Sequence, residues 1–127
     1  MAHFDIPLDL PHAGRMADRI LNLLERHTEE QGIDAPELLD TAEQLSNLLF
    51  RFTDDEENPS GAEATQARDE AAAIGRQLVD QLEAASIRGD RLGQYVRNLF
   101  ECLALGREGA EISLRAGEDP DSLQRPL

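Results

Sequence analysis

Apolar residues recur along this chain at steps of three and four, and no segment alternates apolar with polar residues as a half-buried strand does. Leu38, Ala42, Leu45, Leu49 and Phe52 make the clearest such row. A seam at that spacing buries one face of a helix and leaves the other in water. The expected fold class is therefore all-α: an antiparallel four-helix bundle or a pair of helical hairpins, with short flexible segments at both ends.

Local signals divide the run. The first helix is expected from about His12 to Gln31, with Met16, Ile20, Leu23 and His27 on one stripe, Leu24 beside it and Gly32 as a C-terminal stop. Asp34 and Glu37 then have the spacing of a capping box, and Ile33 with Leu38 that of a hydrophobic staple. Ser60 and Glu63 repeat the capping-box spacing, which predicts a third helix from Gly61 to near Ile87 with Ala64, Ala67, Ala71, Ile74, Leu78, Leu82 and Ala85 inward. Asp90 is placed to cap a fourth helix that carries Leu92, Val96, Leu99, Leu103, Gly106, Ala110 and Leu114 and stops near Gly117. Residues 1–11 then form an N-terminal arm, 12–117 the helical domain, and 118–127 a flexible tail.

A turn as short as Arg88–Gly89 makes the third and fourth helices antiparallel neighbours. Folded there, Ala71 faces Gly106 and Ala67 faces Ala110, while Leu78 and Leu82 meet Leu99 and Tyr95. These two helices are each about 27 residues, roughly 40 Å, against roughly 27–30 Å for the first two. The longer hairpin overhangs the shorter one, and Val79, Leu82, Ile87, Leu92, Tyr95 and Val96 are the expected exposed surface, open to a second copy in a homodimer or to a client protein. Phe100 sits beside the stripe, where it can wedge against the first helix or a second subunit.

Charge bounds the partners. The 127 residues carry 26 acids against 12 basic residues, a net −14, and every basic residue is Arg. Such a field repels nucleic-acid phosphates and acidic membrane surfaces, so neither direct nucleic-acid binding nor membrane binding is expected. A high-GC genome or adaptation to salt accounts for acidity as such, but less well for its distribution. Thirteen acids and two arginines fall between Thr28 and Glu70, whereas Ala71 to Ala116 is nearly balanced. At the centre of that region lies FTDDEENPSGAE, with Asp54, Asp55, Glu56 and Glu57 in succession. An EF-hand loop needs glycine at its sixth position and glutamate at its twelfth, and no starting point in this run supplies both. The run reads as a solvated connector or as an acidic patch that docks a partner with a basic surface.

Catalytic chemistry finds little support. Cys102 is the only cysteine, which rules out an internal disulfide and a cysteine zinc site, and its place beside the Leu99 stripe makes it a packing residue. None of His3, His12 and His27 has the Glu-x-x-His spacing of di-iron bundles. As a phosphoryl acceptor His27 is followed by Thr28, Glu29 and Glu30, whose charge repels phosphate. There is no phosphate-binding glycine loop and no hydrolase elbow, and no cofactor or metal is expected. The N-terminal residues lack the basic start and apolar core of a signal peptide, so the expected location is cytoplasmic. These readings converge on a non-enzymatic acidic helical protein that binds a protein partner as an adaptor, chaperone-like or regulatory protein. The alternatives are an inhibitor or immunity protein that blocks a basic enzyme surface, as a nucleic-acid mimic among other ways, and a small helical nucleotide-hydrolysing enzyme.

Overall fold

The computed structural model describes residues 8–53 and 61–118, and these residues are all-α. Five helices follow one another: α1 (Leu10–Gln31), α2 (Pro36–Thr53), α3 (Ala62–Ala84), α4 (Asp90–Cys102) and α5 (Gly106–Arg115).

α1 starts before the expected His12 because Asp9 caps it, its carboxylate accepting from the His12 N–H at 3.0 Å. Leu10 and Pro11 are consequently buried, and the Asp9 N–H donates to the Cys102 carbonyl at 2.7 Å. Leu8 also packs on the core, so the expected arm is structured from at least that residue onward. Gly32 ends the helix in a left-handed conformation, φ 64°, as its composition foretells. The buried stripe is Met16, Ile20, Leu24 and Thr28, one step over from the expected Leu23 and His27, which are half-buried. Thr28 can sit inside because its hydroxyl donates to the Leu24 carbonyl at 2.9 Å.

α2 begins at Pro36, so Ala35 rather than Asp34 precedes its first turn. Its seam is as expected: Leu38, Ala42, Leu45, Leu49 and Phe52 are all buried. At about 1.5–3 kcal/mol for each large side chain, that seam is ample to hold the helix on its neighbours. α3 buries Ala64, Ala67, Ala71, Leu78, Val79 and Leu82, and it stops three residues short of Ile87.

The expected fourth helix is two helices. The chain reverses at Leu103–Leu105, where Ala104 takes φ 62° and the Leu105 N–H donates to the Phe100 carbonyl at 2.8 Å. This is a helix stop of the kind that glycine usually provides, and alanine fills it at a cost of about 1–2 kcal/mol. After the break the inward phase changes. Gly109, Ile112, Ser113 and Ala116 are buried, while Gly106 and Leu114, expected inside, are exposed. Ala104→Gly should therefore raise the unfolding free energy by about 0.5–1 kcal/mol, net of glycine's entropy in the unfolded chain. Urea denaturation reads this directly, and an unchanged or lower midpoint would count against a strained stop.

The expected pairing of the third helix along the fourth is not found. α1 packs between α2 and α4, α3 packs on the far side of α2, and α5 folds back along α4. A lighter contact between α5 and α3 closes the ring. The turn into α4 is the reason: Ser86 adopts φ 58° and Ile87 is buried as an anchor, so the link is long enough to carry α4 away from α3 and onto α1. Ala71 and Ala67 accordingly do not face Gly106 and Ala110. Phe100, wholly buried, fills the middle between α3 and α5. A Cβ on Gly75 of α3 would lie 3.0 Å from its ring, and one on Gly109 of α5 would lie 2.9 Å from its Cβ.

Candidate protein-binding surface

The expected overhang does not exist as a surface. Val79, Leu82, Ile87, Leu92 and Val96 are buried within one chain and Tyr95 is half-buried against the same core. With the fourth helix divided and folded back, no long hairpin protrudes, and these side chains pack inside the ring. The acid run Asp54, Asp55, Glu56 and Glu57 lies outside the described residues.

What the structure does bring together is a division of carboxylates by their partners. On α3–α5 most are engaged by arginine, with Glu70 and Glu111 the exceptions that make no ion pair with the described residues: Arg76 holds Glu108 through two bonds of 2.5 and 2.9 Å, and Arg115 grips both Asp80 and Glu83. Arg97 reaches Glu118 at 3.0 Å and Glu101 at 3.1 Å. Glu118, expected in a loose tail, is only 2% exposed, and its side chain is sealed between Arg97 and the α4–α5 hairpin. Residues 119–127 lie outside the described part.

Across α1 and α2 the acids are exposed and make no ion pair with the described residues. Glu25, Glu29 and Glu30 cover the end of α1, Asp34 stands in the turn, and Glu37, Asp40 and Glu43 follow on α2. Arg26 is the only arginine among residues 25–43. On α2, Asp40, Glu43, Asn47 and Phe50 recur at steps of three, four and three, which aligns them on the outward face. Phe50 is 65% exposed, the most exposed large apolar side chain of the described residues. It was legible as an outlier, because the buried seam passes through Leu49 and Phe52 and leaves position 50 opposite. Sequence reasoning did not single it out.

An exposed aromatic ring within a row of uncompensated carboxylates suits contact with a protein whose surface joins cationic and apolar groups. Next in the chain, the Arg51 guanidinium lies 4.7 Å from the Phe52 ring centre and 3.9 Å from Glu63, tying α2 to the start of α3.

Catalytic groups are less well provided for. Burial, then the charges of Asp9 and Glu101, push the Cys102 thiol up to about 12, which keeps it protonated and unreactive at neutral pH. Among the described residues, no group of three or more His, Cys, Asp or Glu side chains is placed to hold a metal ion. No described helix is long and apolar enough to cross a membrane.

The engaged half carries a pH dependence. The hydrogen bond from Arg76 holds the Glu108 carboxyl below its ordinary value of 4.5, against the opposing effect of burial. A lowered folded-state value stabilises the fold above the ordinary carboxylate range, and the contribution is lost as pH falls through the lowered value. Both groups are partly exposed, so the pair contributes about 0.2–1 kcal/mol. Arg76→Gln should reduce stability by that amount at pH 7 and by progressively less toward acid, as followed by urea unfolding at stepped pH. A deficit that stays constant with pH would assign the loss to packing instead.

No family model, no curated protein and no solved structure matches this chain.

Proposed function

We propose that the protein is a non-enzymatic binding protein whose α1–α2 half docks a protein partner with a basic surface, with Phe50 as the apolar anchor. The observation that carries this reading is the outward row Asp40, Glu43, Asn47 and Phe50, set among carboxylates that make no ion pair with the described residues, whereas most acids of α3–α5 are held by arginine. In sequence the row leads directly into Asp54, Asp55, Glu56 and Glu57, which extends the same charge. Repulsion within such a row is relieved when a cationic partner arrives, and the aromatic ring supplies the desolvated centre that charge alone lacks. The cytoplasm is the proposed compartment, and a regulatory or inhibitory role toward a basic enzyme belongs to the same surface.

The test is a photo-crosslinking side chain at position 50, used in cells that make the protein naturally. A discrete protein adduct is expected. It should weaken about tenfold when Asp40→Asn and Glu43→Gln are combined, in line with about 1 kcal/mol or less for each rim charge. The recovered partner should bind the purified protein with an affinity that falls as salt rises. Absence of any adduct, or an adduct indifferent to both charge and salt, would overturn the reading.

A further inference from the structure

We infer that a second, opposite kind of site lies where the end of α1 meets the turn into α4: a pocket for a small, singly charged carboxylate with a short apolar body. A cavity of about 210 Å³ opens there, lined by half-buried Leu23 over the nearly buried Leu24, Ile87 and Leu92, with His27, Arg88 and Arg91 as the cationic or donor residues at its edge. That space is below the roughly 300–1,000 Å³ of pockets for drug-sized molecules, which limits the occupant to a small ligand of about eight heavy atoms.

Three observations set the chemistry. First, the edge is cationic on a molecule that is otherwise strongly acidic. Second, two of its donors are unengaged: His27 and Arg91 make no hydrogen bond or ion pair with the described residues, whereas Arg88 is steadied by donating to the Leu114 carbonyl at 3.3 Å. Third, the one acid of the lining, Asp90, remains a carboxylate while accepting from the Gln94 side chain at 3.0 Å on its own helix, so Arg88 and Arg91 together leave the lining with a single net positive charge. A guanidinium that meets a carboxylate forms paired, charge-assisted bonds, and an aliphatic or aromatic body then covers the leucine and isoleucine walls. The overall charge of −14 selects for a single negative charge, since long-range repulsion grows with ligand charge and disfavours polyphosphates.

Hexanoate is the probe, followed by proton–nitrogen NMR of the full chain. Saturable shifts are expected at Ile87, Leu92 and His27, with Phe50 and its neighbours unmoved. Hexanol, which has the body without the charge, and acetate, which has the charge without the body, should each bind at least tenfold more weakly. Arg91→Gln should weaken hexanoate at least tenfold while leaving the unfolding midpoint unchanged, because Arg91 makes no hydrogen bond or ion pair with the described residues that the fold would lose. Equal binding of hexanol, undiminished binding to the Arg91→Gln protein, or no saturable shift would each overturn the inference. Since the α2 row takes no part, these outcomes are independent of whether a basic partner is found.

Discussion

Replacing Phe100 with alanine is expected to lower the unfolding free energy by about 3–5 kcal/mol, a large share of the ~5–15 kcal/mol typical of a whole domain. Its side chain is fully buried, and glycines at 75 and 109 leave no Cβ where the ring and its own Cβ press against α3 and α5. Those glycines give the ring its space, so the neighbouring backbones cannot easily close the void that alanine would leave. Phe50→Ala is the matched control: the same chemical change on a 65% exposed residue should move stability by no more than about 0.5 kcal/mol. Guanidinium unfolding of the two variants decides the matter. A Phe100→Ala protein within 1 kcal/mol of the parent, a margin set well below the expected cavity cost, would mean that the ring of helices does not close on this side chain.

Arg97→Met should cost about 3–5 kcal/mol, the usual penalty when one member of a buried ion pair is removed. Glu118 has no exposed side-chain surface, and the substitution takes away the guanidinium that faces it at 3.0 Å. Relief by movement is restricted. A Cβ on Gly93 would lie only 2.6 Å from the Glu118 Cβ, and Gly117, at φ 107°, passes so close to Gly89 that a Cβ there would meet its nitrogen at 2.5 Å. Arg97→Met combined with Glu118→Gln should recover a good part of the loss, since a neutral amide is far less costly to enclose than a carboxylate. If the double variant is no more stable than the single one, shape rather than charge holds this corner.

Which elements could be read in advance follows from how local their causes are. The α2 seam and the stop at Gly32 depend on spacing and on one residue's freedom at positive φ, and both are visible in the sequence. The break at Ala104 was not, because the residue that takes the left-handed conformation is neither glycine nor asparagine. A trace was present all the same: Gly109, Ile112 and Ala116 form a second stripe out of phase with Leu92, Val96 and Leu99, and two phases in one uninterrupted run imply two helices. The placing of α4 on α1 carries no pattern in the sequence, since it goes with a left-handed Ser86 and a buried Ile87 in a link that reads as a two-residue turn. Of the candidate surface, the acid excess was legible from composition. The engagement of Glu118 was not, because a single glutamate after Gly117 carries no pattern.

The adjacency of α1 and α4 has a kinetic consequence. In synthesis α1 precedes α4 by most of the domain, and the Asp9 amide cannot find the Cys102 carbonyl until both are made. Until then Met16, Ile20 and Leu24 have only α2 for cover, in a nascent intermediate with a greasy flank open to chaperones or to other unfinished chains. Helical proteins built from sequential hairpins escape that delay because their contacts are local. Here the rate of folding should instead follow the late docking of distant segments.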